Sequence, residues 1–394
     1  METNKLLPLA GMNRVAPDIA LVQRTDRATH YFVRDAVNGY MTSNGKWMMR
    51  EAVQRVCTRP LKNLWYSHLH GDTFATLFGQ WVKVNPQDWS TEDLCDVGGE
   101  ASFIVLNGKV LAVNSGGIHV YNGRTAQPLT IATPPAPLVE VDEGALPPGD
   151  WAFAVAFLRG DVESAVSEAA PFKVVSGGVR VQLPLPLDPT VTATRLYVSS
   201  HQGSEFHAAG DYPNGANFNL PQPPERGAAA RFRFRQPMPG GAFPCLWRGR
   251  LVVARGRSLH FSEPMTYHLN DPRHGFVQLP QRVTFVVPVD DGLWVGQVDH
   301  VVFLRGHALE ELSVDFRNTK RPVPGSGVTI DSEMLDDKLD NAGMTCAVWL
   351  AENGHVVGTG QGQTFEMQAG VMKEIHANSG QSIFFDRRFL TATL

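Results

Sequence analysis

Short apolar runs, each closed by a turn containing Gly, recur in pairs along this chain. Residues 107–121 read NGKVLAVNSGGIHVY, 248–262 read RGRLVVARGRSLHFS, 291–306 read DGLWVGQVDHVVFLRG and 353–367 read NGHVVGTGQGQTFEM. A poorer copy, GDTFATLFGQWVKV, fills 71–84. Each copy predicts a β-hairpin. One hairpin cannot bury both of its faces, so the copies must pack on one another, which is the logic of a β-propeller. The residues that open the hairpins, Gly71, Gly108, Gly249, Gly292 and Gly354, are expected to be structural turn residues.

The opening glycines are separated by 37, 141, 43 and 62 residues. A propeller blade takes roughly 40–50 residues, so the gap of 141 predicts an insertion. Its borders are Pro-rich: TPPAPL at 133–138 and LPQPP at 220–224. Between them, Trp151–Phe157, Pro171–Val175, Val179–Leu183 and Thr194–Ser199 alternate like short strands and predict a small β-sandwich. The order of these segments resembles a fibronectin type III-like module. The expected organisation is therefore all-β. An N-terminal arm and the first part of a propeller occupy 1–134, the inserted sandwich 135–224, and the remaining blades 225–394.

The apolar stretch 381–386 is expected to pair with an N-terminal strand and close the ring. The best helix is expected at Ser332–Asn341, with a Ser cap and an acidic first turn. The segment 44–56 reads as either helix or strand. Arg231-Phe232-Arg233-Phe234-Arg235 alternates like a strand with one Arg face, and Arg231, Arg233 and Arg235 are the candidate interface residues.

A hydrophobic content of 43% with 19% charged residues excludes a disordered chain, and 37 Gly with 27 Pro favours many short strands. The net charge of −4 leaves no footprint for nucleic-acid binding. Cys57, Cys95, Cys245 and Cys346 form no CxxC pair and no zinc pattern, so reduced thiols are expected. The N-terminus has no signal-peptide pattern, and no apolar run approaches the roughly 18 residues of a membrane span.

Catalytic patterns are near misses. His68-Leu69-His70-Gly71-Asp72 is close to the HxHxDH run of metallo-β-lactamase-like hydrolases, but Thr73 stands where the last ligand belongs. The run beginning at Asp340 is an imperfect sialidase-type Asp box. Asp290-Asp291 points its carboxylates to opposite faces if on a strand, which is poor geometry for one acid–base pair. No P-loop, dinucleotide-binding Gly run, GxSxG or HExxH is present. Neither enzyme activity nor a metal or cofactor is expected.

The segment Gly11-Met12-Asn13-Arg14-Val15-Ala16-Pro17-Asp18, followed by Arg34-Asp35-Ala36-Val37-Asn38 and Thr42-Ser43-Asn44-Gly45-Lys46, resembles the opening of structural proteins from tailed bacteriophages and prophages. Gly249–Leu269 and Val287–Gly306 resemble later hairpins of that group. Gly39-Tyr40-Met41 and Trp47-Met48-Met49-Arg50 depart from it. Among phage parts, the propeller-bearing tail nozzle or neck ring is the most similar. The resemblance implies a virion protein assembled in the host cytoplasm. It implies a homo-oligomeric ring, a hexamer, that extends the DNA channel. The ring would let DNA pass without sequence-specific binding and would contact the portal–adaptor complex and other tail proteins or fibres. The alternative is a phage receptor- or carbohydrate-binding propeller, with glycan degradation as a variant of that reading. That would need an aromatic and carboxylate platform, for which Trp65, Trp81, Trp89, Trp247, Trp294 and Trp349 are the available aromatics.

Overall fold

The computed structural model describes residues 9–26, 28–42, 45–50, 54–199, 203–334, 344–385 and 388–394. Among the described residues the regular structure is strand, interrupted by single 3-10 turns at Asp18–Leu21, Leu309–Glu311 and Ser332–Met334. The chain forms two compact units, Leu61–Gln278 and Met1–Pro60 with Leu279–Leu394. Both contain four-stranded antiparallel blades, and the fold is of the all-β, β-propeller class.

In the unit Leu61–Gln278, blade one runs Lys62–Ser67, Asp72–Leu77, Gln80–Val84, Thr91–Asp96. Blade two runs Ser102–Leu106, Lys109–Asn114, Gly117–Tyr121, Ala126–Pro128. Blade three is built on Ala242–Trp247, Arg250–Arg255 and Ser258–Glu263, with Thr266–Asn270 and Phe276–Gln278 both paired to the last of these. The central strands are apolar on both faces because both are covered. Val110 and Ala112 pack with Phe74, Trp81 and Tyr121. Their neighbours Leu111 and Val113 pack with Ile118, Leu251 and Val253 on the other side. All four are at most 1% exposed. The Val and Leu side chains among them contribute about 1.5–3 kcal/mol each by burial. A hairpin with only one covered face would lose half of that.

The same unit carries the sandwich. One sheet orders Leu138–Asp142, Gly178–Gln182 and Asn217–Leu220. The other orders Gly149–Arg159, Ala193–Ser199 and Phe206–Tyr212, with Val162–Glu163 and Ala170–Val174 also paired to the long strand. Trp151, Phe153 and Val155 pack with Val179, Val181, Leu196 and Leu220 between the sheets. Ala154 and Ala156, on the opposite face of the same strand, pack with Tyr197, Phe206 and Phe232. Large residues therefore fill the sandwich core, and small ones meet the segment that follows the insert.

In the unit formed by Met1–Pro60 and Leu279–Leu394, blade four runs Val283–Val289, Gly292–Gln297, Val301–Arg305, Ser313–Arg317. Blade five runs Val328–Asp331, Thr345–Ala351, Gly354–Gly358, Thr364–Glu366. Phe285, Val287, Trp294 and Phe303 pack against Ala347, Trp349 and Val356. Trp294 donates its indole N–H to Thr359 O at 2.9 Å. Four of the five repeated hairpins join the second and third strands of their blades. The copy at 353–367 joins the third and fourth, because two strands of its blade, Val328–Asp331 and Thr345–Ala351, precede it, which lengthens the gap before Gly354.

Several expectations are corrected. Among the described residues, 381–385 pair with no N-terminal strand. Gly380–Phe385 pairs with Arg388–Thr393 as a terminal hairpin, whose Phe384 and Phe389 pack on Ile330, Cys346, Val348 and Val357 of blade five. Two adjacent strands of one hairpin satisfy each other's backbone without a distant partner. In 44–56, Trp47–Met49 is a strand paired with Gly39–Met41. For Ser332–Asn341 only the 3-10 turn Ser332–Met334 is described, and the rest of that segment and the Asp340 run to Gly343 lie outside the described residues. Gly71, Gly108, Gly249 and Gly354 have φ of +68°, +70°, +72° and +112°. Gly292 does not share that conformation. It is glycine because a Cβ there would lie 2.0 Å from Leu304 O.

Candidate functional site

Two of the three opening segments that carry the family resemblance, Gly11–Asp18 and Arg34–Asn38, fold onto each other. Asn13 is 2% exposed and accepts the amides of Val15 and Ala16 at 3.0 and 2.9 Å, which turns the chain after the Leu9–Met12 strand. Arg34 closes this turn by donating to Ala16 O at 2.5 Å and to Asp18 at 2.5 Å. Arg14 reaches the other way, pairing with Asp35 at 2.8 Å. That hydrogen bond, with the Ala36 amide, holds the Asp35 carboxyl below its ordinary range. The Arg14 amide donates to Val371 O at 2.8 Å and ties the clasp to the loop after blade five. Arg14, Asp18, Arg34, Asp35, Lys373 and Glu374 line a cleft of about 470 Å³ here. Its charges alternate in sign and are paired, so the cleft is a fastening of the arm more than a site for an ion.

The arginine run differs from its expected form. Arg231–Phe234 is a turn, not a strand, and Phe234 has φ +65°. Long-range ion pairs override the local alternation. Arg235 lies 2.8 Å from Glu263 and 2.9 Å from Asp271. Arg233 donates to Ser204 O at 3.0 Å and stacks 4.4 Å over the Phe206 ring. Arg231 is the exposed member of the three. Burial pushes the Asp271 carboxyl up, but the Arg273 backbone and guanidinium bonds and the charges of Arg235 and Arg273 outweigh it and hold the group low. The run joins insert to blade: Arg233 faces the insert, and Arg235 faces blade three.

A second joint lies around Glu163. Its carboxylate accepts Tyr197 OH and pairs with Arg195 at 3.2 Å, while its carbonyl meets His268 Nε2 at 2.9 Å. Arg159 donates to Pro128 O at 2.6 Å and to Asp188 at 2.6 Å. Ile131, Phe157 and Val191 form a small buried cluster beneath it. Glu163, His268 and Arg159 carried no motif, and only their three-dimensional neighbours identify them.

The remaining candidates separate. His68 and His70 lie in the turn between the first two strands of blade one, and Asp72 is paired with Lys83 at 2.8 Å. Among the described residues no group of three His, Cys, Asp or Glu side chains could hold a metal ion. Trp81, Trp294 and Trp349 are fully buried and Trp247 is 3% exposed, so these four are blade core. No helix of the described residues is long and apolar enough to cross a membrane.

No protein-family model and no curated protein matches this chain. Among solved structures it is similar to BBS1N in complex with ARL6DN at TM-score 0.33 and 13% identity, covering 84% of this chain and 89% of that one. It is similar to Kluyveromyces lactis Hsv2 at TM-score 0.32 and 9% identity, covering 85% and 90%. It is also similar to Saccharomyces cerevisiae Sqt1 at TM-score 0.32 and 10% identity, covering 83% and 77%.

Proposed function

We propose that this chain is a virion structural protein of a tailed bacteriophage, a tail nozzle or neck component that assembles as a ring of identical copies. In this reading it extends the DNA channel below the portal–adaptor complex and offers surfaces to neighbouring tail proteins or fibres. The observation that carries the proposal is the clasp: Asn13, Arg14 and Asp18 of the first phage-like word bond Arg34 and Asp35 of the second. The two words therefore belong to one structural element, which favours common descent over two chance likenesses. The blades, whose central strands are buried on both faces, suit a load-bearing part.

Electron microscopy of the purified protein with and without a portal–adaptor complex tests the proposal. A ring, or a layer added on the portal axis, supports it. Protein that ignores the complex and binds a glycan array overturns it in favour of the carbohydrate-binding reading.

A further inference from the structure

The N-terminal segment is well hydrogen-bonded yet has no core. Leu9–Met12, Thr29–Val33 and Val22–Arg24 form a three-stranded sheet, and Gly39–Met41 with Trp47–Met49 form a hairpin. Among the described residues before Phe74, no apolar side chain is buried. Ile19 is 91% exposed, Val37 72% and Met49 78%. Small sheets without an apolar partner are marginal in water, so this segment gains from a partner that covers its exposed apolar side chains.

Charge indicates what covers this arm. Residues 9–50 hold six Lys and Arg against three Asp and Glu, whereas residues 279–394 hold nine against fifteen. The basic arm and the acidic blades of one chain are thus complementary. The acidic part also offers an apolar edge. Ser313–Arg317, the outer strand of blade four, pairs on one side with Val301–Arg305. On it Val314 and Phe316 are 40% and 63% exposed, just after Glu310 and Glu311.

We infer that the arm, residues 9–50, docks on the outer strand of blade four of a second copy of this chain. Arm and receiving strand are different surfaces, so the contact is head-to-tail and repeats into a ring when its rotation closes. The inference rests on the ring proposed above and adds the segment that joins its members.

The test uses two full-length variants, Ile19→Asp with Met49→Asp on the arm and Phe316→Arg on the receiving strand, in sedimentation velocity over a concentration series. The altered side chains are exposed, so unchanged melting temperatures would show that both variants fold. The wild type should self-associate, and more weakly as salt rises. Each variant should lose at least about tenfold in association. Mixed one to one, the two variants retain one intact contact and should form a dimer that goes no further. A wild type that stays monomeric at every concentration overturns the inference, as does either variant assembling like the wild type. If the variants still add a ring to the portal complex, the inference falls and the virion reading stands. If the wild type assembles as expected but ignores the portal, the reverse holds.

Discussion

Arg235 and Asp271 form an ion pair at 2.9 Å across the end of blade three, with Glu263 on the other side of the same guanidinium at 2.8 Å. The three side chains are 11–22% exposed. Removing the cation leaves two poorly solvated carboxylates facing each other. Arg235→Ser should therefore cost about 1–3 kcal/mol, between the values for surface and buried pairs. Arg231→Ser, at an exposed position, should leave thermal unfolding unchanged. The contrast in melting temperature checks the assignment.

Two blade glycines should fail for different reasons. At Gly108 a Cβ meets nothing within 4 Å, so Gly108→Ala should cost only the left-handed backbone penalty of about 1–2 kcal/mol. At Gly292 the Cβ would strike Leu304 O at 2.0 Å, so Gly292→Ala should cost about 3 kcal/mol or more. Denaturant unfolding of both variants measures the difference.

Burial holds the His268 imidazole below its ordinary 6.5, with the Arg159 charge acting in the same direction and the bond to Glu163 O opposing. Its folded form is neutral, so as pH falls below about 6.5 the unfolded chain takes up the proton first and stability drops. Burial of His119, His260 and His355 acts in the same direction. The melting temperature should fall as the medium is acidified below that point. His268→Gln, which keeps a donor for Glu163 O, should remove part of the fall.

Among the four thiols, burial pushes Cys95 up to about 11 and Cys245 up to about 12. Neither carries appreciable thiolate near pH 8, and Cys346 is fully buried. A thiol-reactive dye added to the folded protein should label Cys57 first, and the other three only on unfolding. Peptide mapping of the labelled protein decides this.

Excising residues 135–224 uncovers Ile131, which packs on Phe157 and Val191, and Phe232, which packs on the insert's Tyr197 and Phe206. The shortened chain should aggregate. Adding Ile131→Ser and Phe232→Ser should return it to solution. Light scattering of the two shortened chains checks this.

The hairpins were legible because their signal is local: two apolar runs and a turn residue. The sandwich strands Gly149–Arg159 and Ala193–Ser199 were legible for the same reason. Phe206–Tyr212 was not, since FHAAGDY lacks an apolar alternation and is held as a strand by its neighbour Ala193–Ser199. Leu138–Asp142 was missed because it sits at a sheet edge, with Leu138 and Val141 64% and 71% exposed. The Arg run misled because alternation is a property of neighbours in sequence, whereas Glu263 and Asp271, which fix Arg235, lie about 30 residues or more away. The clasp was visible as two words but not as one object.

The strand Lys109–Asn114 has a consequence for how this fold tolerates change. Val110 and Ala112 serve blade one, and Leu111 and Val113 serve blade three. Two independent messages are thus interleaved in a single line of text. Altering one letter weakens one joint and spares the other. A slip of a single residue would hand each neighbour the message meant for its rival, so both joints act together as a proofreader of the hairpin.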